Sequence, residues 1–339
     1  MNGNLNRRNF LKTAGGGAVV MNCKNDAFLQ TGRLIYDVNF KIEKDIIFMR
    51  IRPDYLFCVG ILLFLFSCSS GNKVESEILS TPGLVVFWDF SASKNRLVSK
   101  GEMKLQLQSS KGDSLQFTDN GTVSGRSILF DGTNYLYIPY EETKKLNIET
   151  NEVTVIAWVK WTGEQTGFVG GMWNEYEDGG KRQYGLFVSL PHYNGKNQVC
   201  GHVSKTGGPT PPFPYSIDYS ASKQEVTPNK WECVAFTYDG EFIRSYLNGE
   251  FEKREPELID NTKGFEGYPE GLTQSKNPYY YPDGMGNNGS DFTVGAVRLK
   301  NGMGNFFKGQ MGGLAVFNRA LTDDEIFNIY KVNVKENLN

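Results

Sequence analysis

The segment Trp231–Glu250, WECVAFTYDGEFIRSYLNGE, constrains this chain more than any other. Val234, Phe236 and Tyr238 alternate along its first half, the period of a half-buried strand. Asp239-Gly240 supplies a tight turn, Phe242–Leu247 returns, and Asn248-Gly249 supplies a second turn. Two-residue turns join only antiparallel neighbours, so this stretch belongs to an antiparallel sheet.

The same punctuation recurs. Leu84–Trp88, Ser127–Phe130, Tyr135–Ile138, Gly185–Leu190, Gln198–Ser204, Phe292–Val297 and Leu314–Phe317 all read as strands. Val153–Trp161, VTVIAWVKW, is apolar on both faces, as a central strand is. Helical periodicity is almost confined to the end, where Thr322-Asp323-Asp324-Glu325 forms a capping box. Ile326, Ile329 and Tyr330 share one face beyond it, which predicts a short helix on the rim of the body. The fold class that follows is all-β: a two-sheet antiparallel β-sandwich with one short C-terminal helix.

Composition narrows the function. The 36 basic and 38 acidic residues leave a net charge of −2 and no basic stripe, so no nucleic acid is expected as partner. Two histidines exclude any mechanism that needs several imidazoles. HExxH, Cys-His clusters and a GxSxG elbow are all missing.

The first 67 residues read as an export and lipoprotein signal. NRRNFLK (Asn6–Lys12) is similar to a twin-arginine signal. A second signal begins at Met49: Arg50 and Arg52 precede the apolar run Leu56–Phe66, which is the length of a secretory core and short for a membrane span. Two signals are redundant, so the reading places the true start at Met49, with residues 1–48 an upstream extension. Leu65-Phe66-Ser67-Cys68 resembles a lipobox, which makes Cys68 the lipidated residue and the membrane a partner through that anchor. Residues 68–80 then form a polar tether, 81–332 one domain and 333–339 a tail. The expected location is the cell envelope, with the protein a monomer. Cys200 and Cys233 can pair as a disulfide if their strands are neighbours in register; two buried thiols are the alternative.

SILFDGTNYLYIPY, VTVIAWVKW, the hairpin above and GQMGGLAVFNRALTDDEIFNIY occur in an order that resembles laminin-G-like domains of the concanavalin A-like lectin/glucanase superfamily. The resemblance runs over roughly 84–330. It implies a jelly roll of two curved sheets that binds glycans or proteins, and in some relatives cleaves polysaccharides. It also implies a structural calcium. Here, however, Gly312-Gly313 stands where many relatives carry acids, so no cofactor is expected beyond that open calcium question.

Two stretches exceed what the fold requires: Pro191–Ser222 and Glu266–Asp291, both rich in Pro, Gly, Asn and Tyr. A sugar site needs flat rings for the C–H faces and polar groups for the hydroxyls. Trp173, Phe213, Tyr215, Tyr219, Tyr279, Tyr280 and Tyr281 can stack. Asn174, His202, Asp218, Asp283, Asn287 and Arg298 can hydrogen-bond. If Val199 and Val203 face the core, Cys200 and His202 face outward, with His202 a surface residue. Glu175 and Glu177 would lie roughly 6.5–7 Å apart on one face of an extended segment, within the roughly 5–9 Å used by paired carboxylates of glycosidases. With His202 they are the catalytic candidates. The leading expectation is a non-catalytic module for a polysaccharide or glycoconjugate. A glycoside hydrolase or polysaccharide lyase is the first alternative, and a protein-binding envelope domain the second.

Overall fold

A computed structural model describes residues 10–14, 17–22, 28–30, 33–42, 45–51, 73–91, 95–175, 179–191, 194–211, 215–258, 273–274 and 276–337. The chain divides into two units, Met1–Ser70 and Gly71–Asn339. The first contains strands β1 (Phe10–Ala14), β2 (Gly17–Asn22), β3 (Phe28–Gln30), β4 (Arg33–Ile42) and β5 (Asp45–Ile51), paired antiparallel around β4. The apolar run Leu56–Phe66 and Cys68 lie outside the described residues. No helix among the described residues is long and apolar enough to cross a membrane.

The second unit opens with helix α1 (Lys73–Ser80). Then come β6 (Leu84–Trp88), β7 (Gln108–Ser109), β8 (Phe117–Thr118), β9 (Ser127–Asp131), β10 (Leu136–Ile138) and the long β11 (Val153–Trp161). After these come β12 (Gly167–Met172), β13 (Tyr184–Leu190), β14 (Gly195–Val203), β15 (Tyr219–Glu225), β16 (Trp231–Tyr238), β17 (Phe242–Leu247) and β18 (Glu250–Phe251). Short strands follow: β19 (Glu257–Leu258), β20 (Thr273–Gln274), β21 (Tyr279–Tyr280), β22 (Phe292–Val294), β23 (Val297–Leu299) and β24 (Gly302–Gly304). β25 (Lys308–Phe317) and helix α2 (Asp323–Asn337) close the unit.

These strands form the expected antiparallel sandwich. One sheet has seven strands in the order β15-β14-β13-β12-β22-β10-β7. The other has nine, ordered β18-β17-β16-β11-β25-β9-β8, with β21 on β17 and β6 sharing the far edge of β25. The predicted turns form as the sequence requires. Asp239 Oδ1 accepts from the N–H groups of Glu241 and Phe242, and Asn248-Gly249 takes positive φ at both positions, as a tight hairpin demands.

Alternation sorts the side chains. Val153, Val155, Ala157, Val159 and Trp161 of β11 point between the sheets. There they meet Val169 and Met172 of β12, Leu186 and Val188 of β13, and Val199 and Val203 of β14. The other face of β11, Ile156 and Trp158, joins Cys233, Ala235, Ala315 and Phe317 beneath the two helices. Val74 and Ile78 of α1 and Ile326 and Ile329 of α2 cover them. Both faces of β11 are apolar because helices, and not solvent, lie on its outer side.

Two expectations are corrected here, and one open alternative is decided. The stretch read as a tether folds into α1 and buries Val74 and Ile78. Lys100 Nζ fastens that helix, 2.6 Å from Glu75 and 2.7 Å from Asp89. α2 lies on the outer face of the nine-stranded sheet and not on the rim, although its capping box forms as expected: the Glu325 N–H donates to Thr322 Oγ1 and the Thr322 N–H to Glu325 Oε2. Cys200 and Cys233 are free thiols, because they sit on the outer faces of opposite sheets. Burial pushes the Cys200 thiol up to about 12 and raises that of Cys233 as well.

Candidate functional site

Helices cover one outer face of the sandwich. On the other, a row of directly opposed residues crosses six strands of the seven-stranded sheet: Tyr137, Thr293, Gly171, Gly185, His202 and Tyr219. At normal strand spacing the row spans roughly 24 Å. Its middle carries no side chain. Gly171 has φ +153°, where a Cβ would meet the Tyr184 carbonyl oxygen at 2.3 Å. A Cβ on Gly185 would press on the rings of Phe168, Phe187 and Trp173 at 3.0, 3.2 and 3.3 Å. Two glycines thus make a flat floor on which aromatic rings lie.

Those rings form one connected cluster. Trp173 packs edge-on against Phe187 (centroids 5.8 Å apart) and against His202 (4.9 Å), and the His202 ring lies 4.8 Å from Tyr219. They line a cavity of about 310 Å³, together with Glu175, Arg182 and Tyr215. A cavity of about 190 Å³ begins on the other side of Trp173, bounded by Tyr135, Tyr137, Asn174, Thr293 and Arg298. A third, of about 760 Å³, shares Asn174, Asp291 and Arg298 with the second and Leu299 with the first. The three hollows therefore adjoin along the uncovered face.

Local structure holds the polar groups in place. The segment after β12 is clamped from both sides. The Lys181 N–H donates to the Asn174 carbonyl at 2.7 Å, and the Glu175 N–H donates to the Arg298 carbonyl at 3.0 Å. Trp173 Nε1 donates to Glu175 Oε1 at 3.3 Å, and Arg182 Nη2 is 3.9 Å from Glu175 Oε2. Burial raises the Glu175 carboxyl above its usual range, against the opposing pull of Arg182 and of the Trp173 hydrogen bond. Burial also holds His202 well below the usual imidazole range, aided by the positive charges of Lys276 and Arg182.

Two polar atoms on the row have no partner among the described residues, His202 Nδ1 and Thr293 Oγ1, although the residues are only 3% and 4% exposed. Buried polar groups are normally hydrogen-bonded, so each is an offer to a ligand or an ordered water. Among the described residues no cluster of His, Cys, Asp or Glu could hold a metal ion.

The structure brings together Trp173, Asn174, His202, Tyr215, Tyr219 and Arg298 of the expected binding residues. His202 does face outward from the sheet, but it is buried under rings and is not a surface residue. Six others are elsewhere. Asp218 accepts from Thr210 Oγ1 and from Tyr279 Oη (2.9 Å), which ties the two long loops together. Tyr281 is in the core, its hydroxyl accepting from the Lys205 N–H. Tyr280 is 58% exposed on β21, at the edge of the nine-stranded sheet. Asp283 is exposed at a turn and lines none of these hollows. Asn287 receives the Tyr140 hydroxyl at 2.9 Å. Glu177 and Phe213 lie outside the described residues. Reading single residues missed Phe187, Arg182, Tyr137 and Thr293. The signal for them was strand alternation, which sets Phe187, His202 and Thr293 opposite their core-facing neighbours.

With this geometry in view, the second unit is a two-sheet antiparallel sandwich with three adjoining hollows on the outer side of its seven-stranded sheet. Residues 130–268 match the family model Laminin_G_3, of the concanavalin A-like lectin/glucanases superfamily, and over that stretch the laminin-G-like resemblance is borne out. Among solved structures, domain 4 of the extracellular arabinanase AbnA from Geobacillus stearothermophilus, in complex with arabinotriose, is similar at 16% identity and TM-score 0.47, covering 73% of this chain and 98% of that one. Trypanosoma rangeli sialidase with sialic acid is similar at 13% identity and TM-score 0.43, covering 93% of this chain and 45% of that one. The binding domain of botulinum neurotoxin DC with SialylT is similar at 9% identity and TM-score 0.46, covering 74% and 52%. This chain thus spans about half the length of the latter two. No curated protein matches it in sequence.

Proposed function

We propose that this chain is a non-catalytic carbohydrate-binding module of the cell envelope, tethered to a membrane through Cys68, that holds a glycan on the open face of the seven-stranded sheet. The observation that carries this reading is the cavity of about 310 Å³ beside the ring cluster, where the exposed Tyr215 stands over an inner wall of Trp173, Phe187 and Tyr219 beside His202, Glu175 and Arg182. Such a mixture suits a ligand with apolar C–H faces and a rim of hydroxyls. The unpartnered His202 Nδ1 is an acceptor for a sugar hydroxyl while the imidazole stays neutral.

Affinity electrophoresis against a polysaccharide panel tests it. Tyr215, 39% exposed, can be truncated with little cost to the fold. Tyr215→Ala is expected to weaken binding by roughly threefold to tenfold, the worth of one aromatic contact. A panel that leaves the wild-type mobility unchanged defeats the reading. Cys68 is tested separately by labelled palmitate uptake, which Cys68→Ala should abolish.

Glu175 favours a second reading, a glycoside hydrolase or polysaccharide lyase. Its buried carboxyl, shifted toward the protonated form beside His202, is suited to donating a proton. Release of reducing ends or unsaturated products, lost in Glu175→Gln, would establish catalysis.

A further inference from the structure

We infer that the glycan is acidic, and that the largest hollow takes its carboxylate or sulfate ester. This rests on the glycan reading above and adds a subsite to it. The hollow of about 760 Å³ is lined by Lys181, Arg298 and Lys300. Arg298 and Lys300 are exposed, and neither makes an ion pair with any described residue. Two acids line the same space. One of them, Asp291, is already engaged, its Oδ1 accepting from the Tyr140 N–H at 2.9 Å. The other, Glu141, is exposed to solvent.

The placement of Arg298 follows from the sequence. Val297 is buried against the aromatic cluster, so the next residue of β23 must face away from it, into the hollows. Arg298 lines both the second and the third hollow, and the pairing of Asn174 with Arg298 fixes its backbone. Thr293 Oγ1, buried and unpartnered, lies in the second hollow beside it. A chain crossing from Trp173 past Thr293 would bring a substituent to a guanidinium able to grip carboxylate or sulfate with two hydrogen bonds. An acidic polymer satisfies Arg298 and Lys300; a neutral one leaves these two to water.

The experiment uses the full chain and three polymers in affinity electrophoresis at low ionic strength: a polyuronate, a sulfated neutral-backbone polysaccharide and an uncharged glucan. The double variant Arg298→Gln/Lys300→Gln is compared with Lys253→Gln, a control cation paired with Glu255 and lining none of the hollows. Retardation by an acidic polymer that falls roughly tenfold in the double variant and not in the control supports the inference. Whichever acidic polymer is retarded more identifies the group held. Equal retardation by the glucan, unchanged in the double variant, overturns the inference and leaves the glycan reading standing. Equal losses in the double variant and the control overturn it too, as diffuse polyanion attraction. Retardation by none of the three defeats both.

Discussion

The two outer faces of the sandwich are built by the same alternation and end in opposite states. On the nine-stranded sheet, Ile156, Trp158, Ala315 and Phe317 project outward and are sealed by α1 and α2. On the seven-stranded sheet, Phe168, Phe187, Cys200, His202 and Tyr219 project outward, and no helix among the described residues lies over them. The sealed face mixes the rings of Phe87, Trp158 and Phe317 with Ile156 and Ala315, all packed beneath helix side chains. The open face contains rings, two opposed glycines and unpartnered polar atoms. An apolar outer face therefore says only that something covers it. On the face without helices the unpartnered His202 Nδ1 and Thr293 Oγ1 mark where a ligand or ordered water is accepted.

The largest effect should come from the sealed face. Trp158→Ala leaves a void under both helices and is expected to cost about 3–5 kcal/mol in urea unfolding. In protein that remains folded, glycan mobility shifts should be unchanged. A variant that binds poorly while fully folded would show that the two faces are coupled through β11, and the comparison would fail.

Gly185→Ala should invert that pattern. Its Cβ forces the rings of Phe168, Phe187 and Trp173 to shift by a few tenths of an ångström. Overpacking of this size costs about 1 kcal/mol, yet the rings that wall the cavity are displaced. Binding is expected to weaken roughly tenfold, more than a stability loss of that size explains. Unchanged affinity would place the ligand away from the glycine floor.

The open face should also carry its own pH dependence. His202 in the folded chain titrates well below its usual range, under burial and the charges of Lys276 and Arg182. The unfolded chain then binds the proton that the folded chain refuses. Stability therefore falls as pH drops below roughly 6.5, with a slope of at most about 1.4 kcal/mol per pH unit. Glu175 acts in the opposite sense. Its raised value means that stabilisation present at low pH is lost as pH rises through the folded-state value. Melting temperatures between pH 4 and 7 should flatten in His202→Gln and steepen in Glu175→Gln. A His202→Gln profile identical to wild type would mean that the ring is reached by solvent.

The sandwich was legible in the sequence because strands of this kind are written locally. Val153–Trp161, Trp231–Tyr238 and Phe242–Leu247 form with the bounds that alternation and the Asp-Gly and Asn-Gly turns set. β12, GFVGGM, left no clear signal, because its glycines serve the site and not the strand. Helix α1 was hidden by polar composition; its only trace is Val74 and Ile78, one helical turn apart. The site was half legible. His202 and Tyr219 are cross-strand partners, a fact that depends on the register of β14 and β15 and on no local pattern. Aromatic richness in the loop before Asp291 pointed to binding, yet richness does not say which way a ring faces. Tyr281 went to the core, and Tyr279 holds Asp218.

Tyr280 gives the smallest effect and the sharpest test of that last point. It is an exposed ring in a loop of sugar-binding composition, so composition alone places it at the ligand. Register places it opposite Phe242 on the edge of the nine-stranded sheet, with ring centroids 5.4 Å apart. Tyr280→Ala removes one exposed cross-strand pair, worth about 0.2–1 kcal/mol in urea unfolding, and should leave every mobility shift as in wild type. If instead it weakens binding as much as Tyr215→Ala does, the ligand reaches around the sheet edge, and the open face is not the whole recognition surface. Pairing Tyr280→Ala with Tyr215→Ala separates the cases: a double variant no weaker than Tyr215→Ala alone confines the ligand to the glycine floor, whereas additive losses extend it.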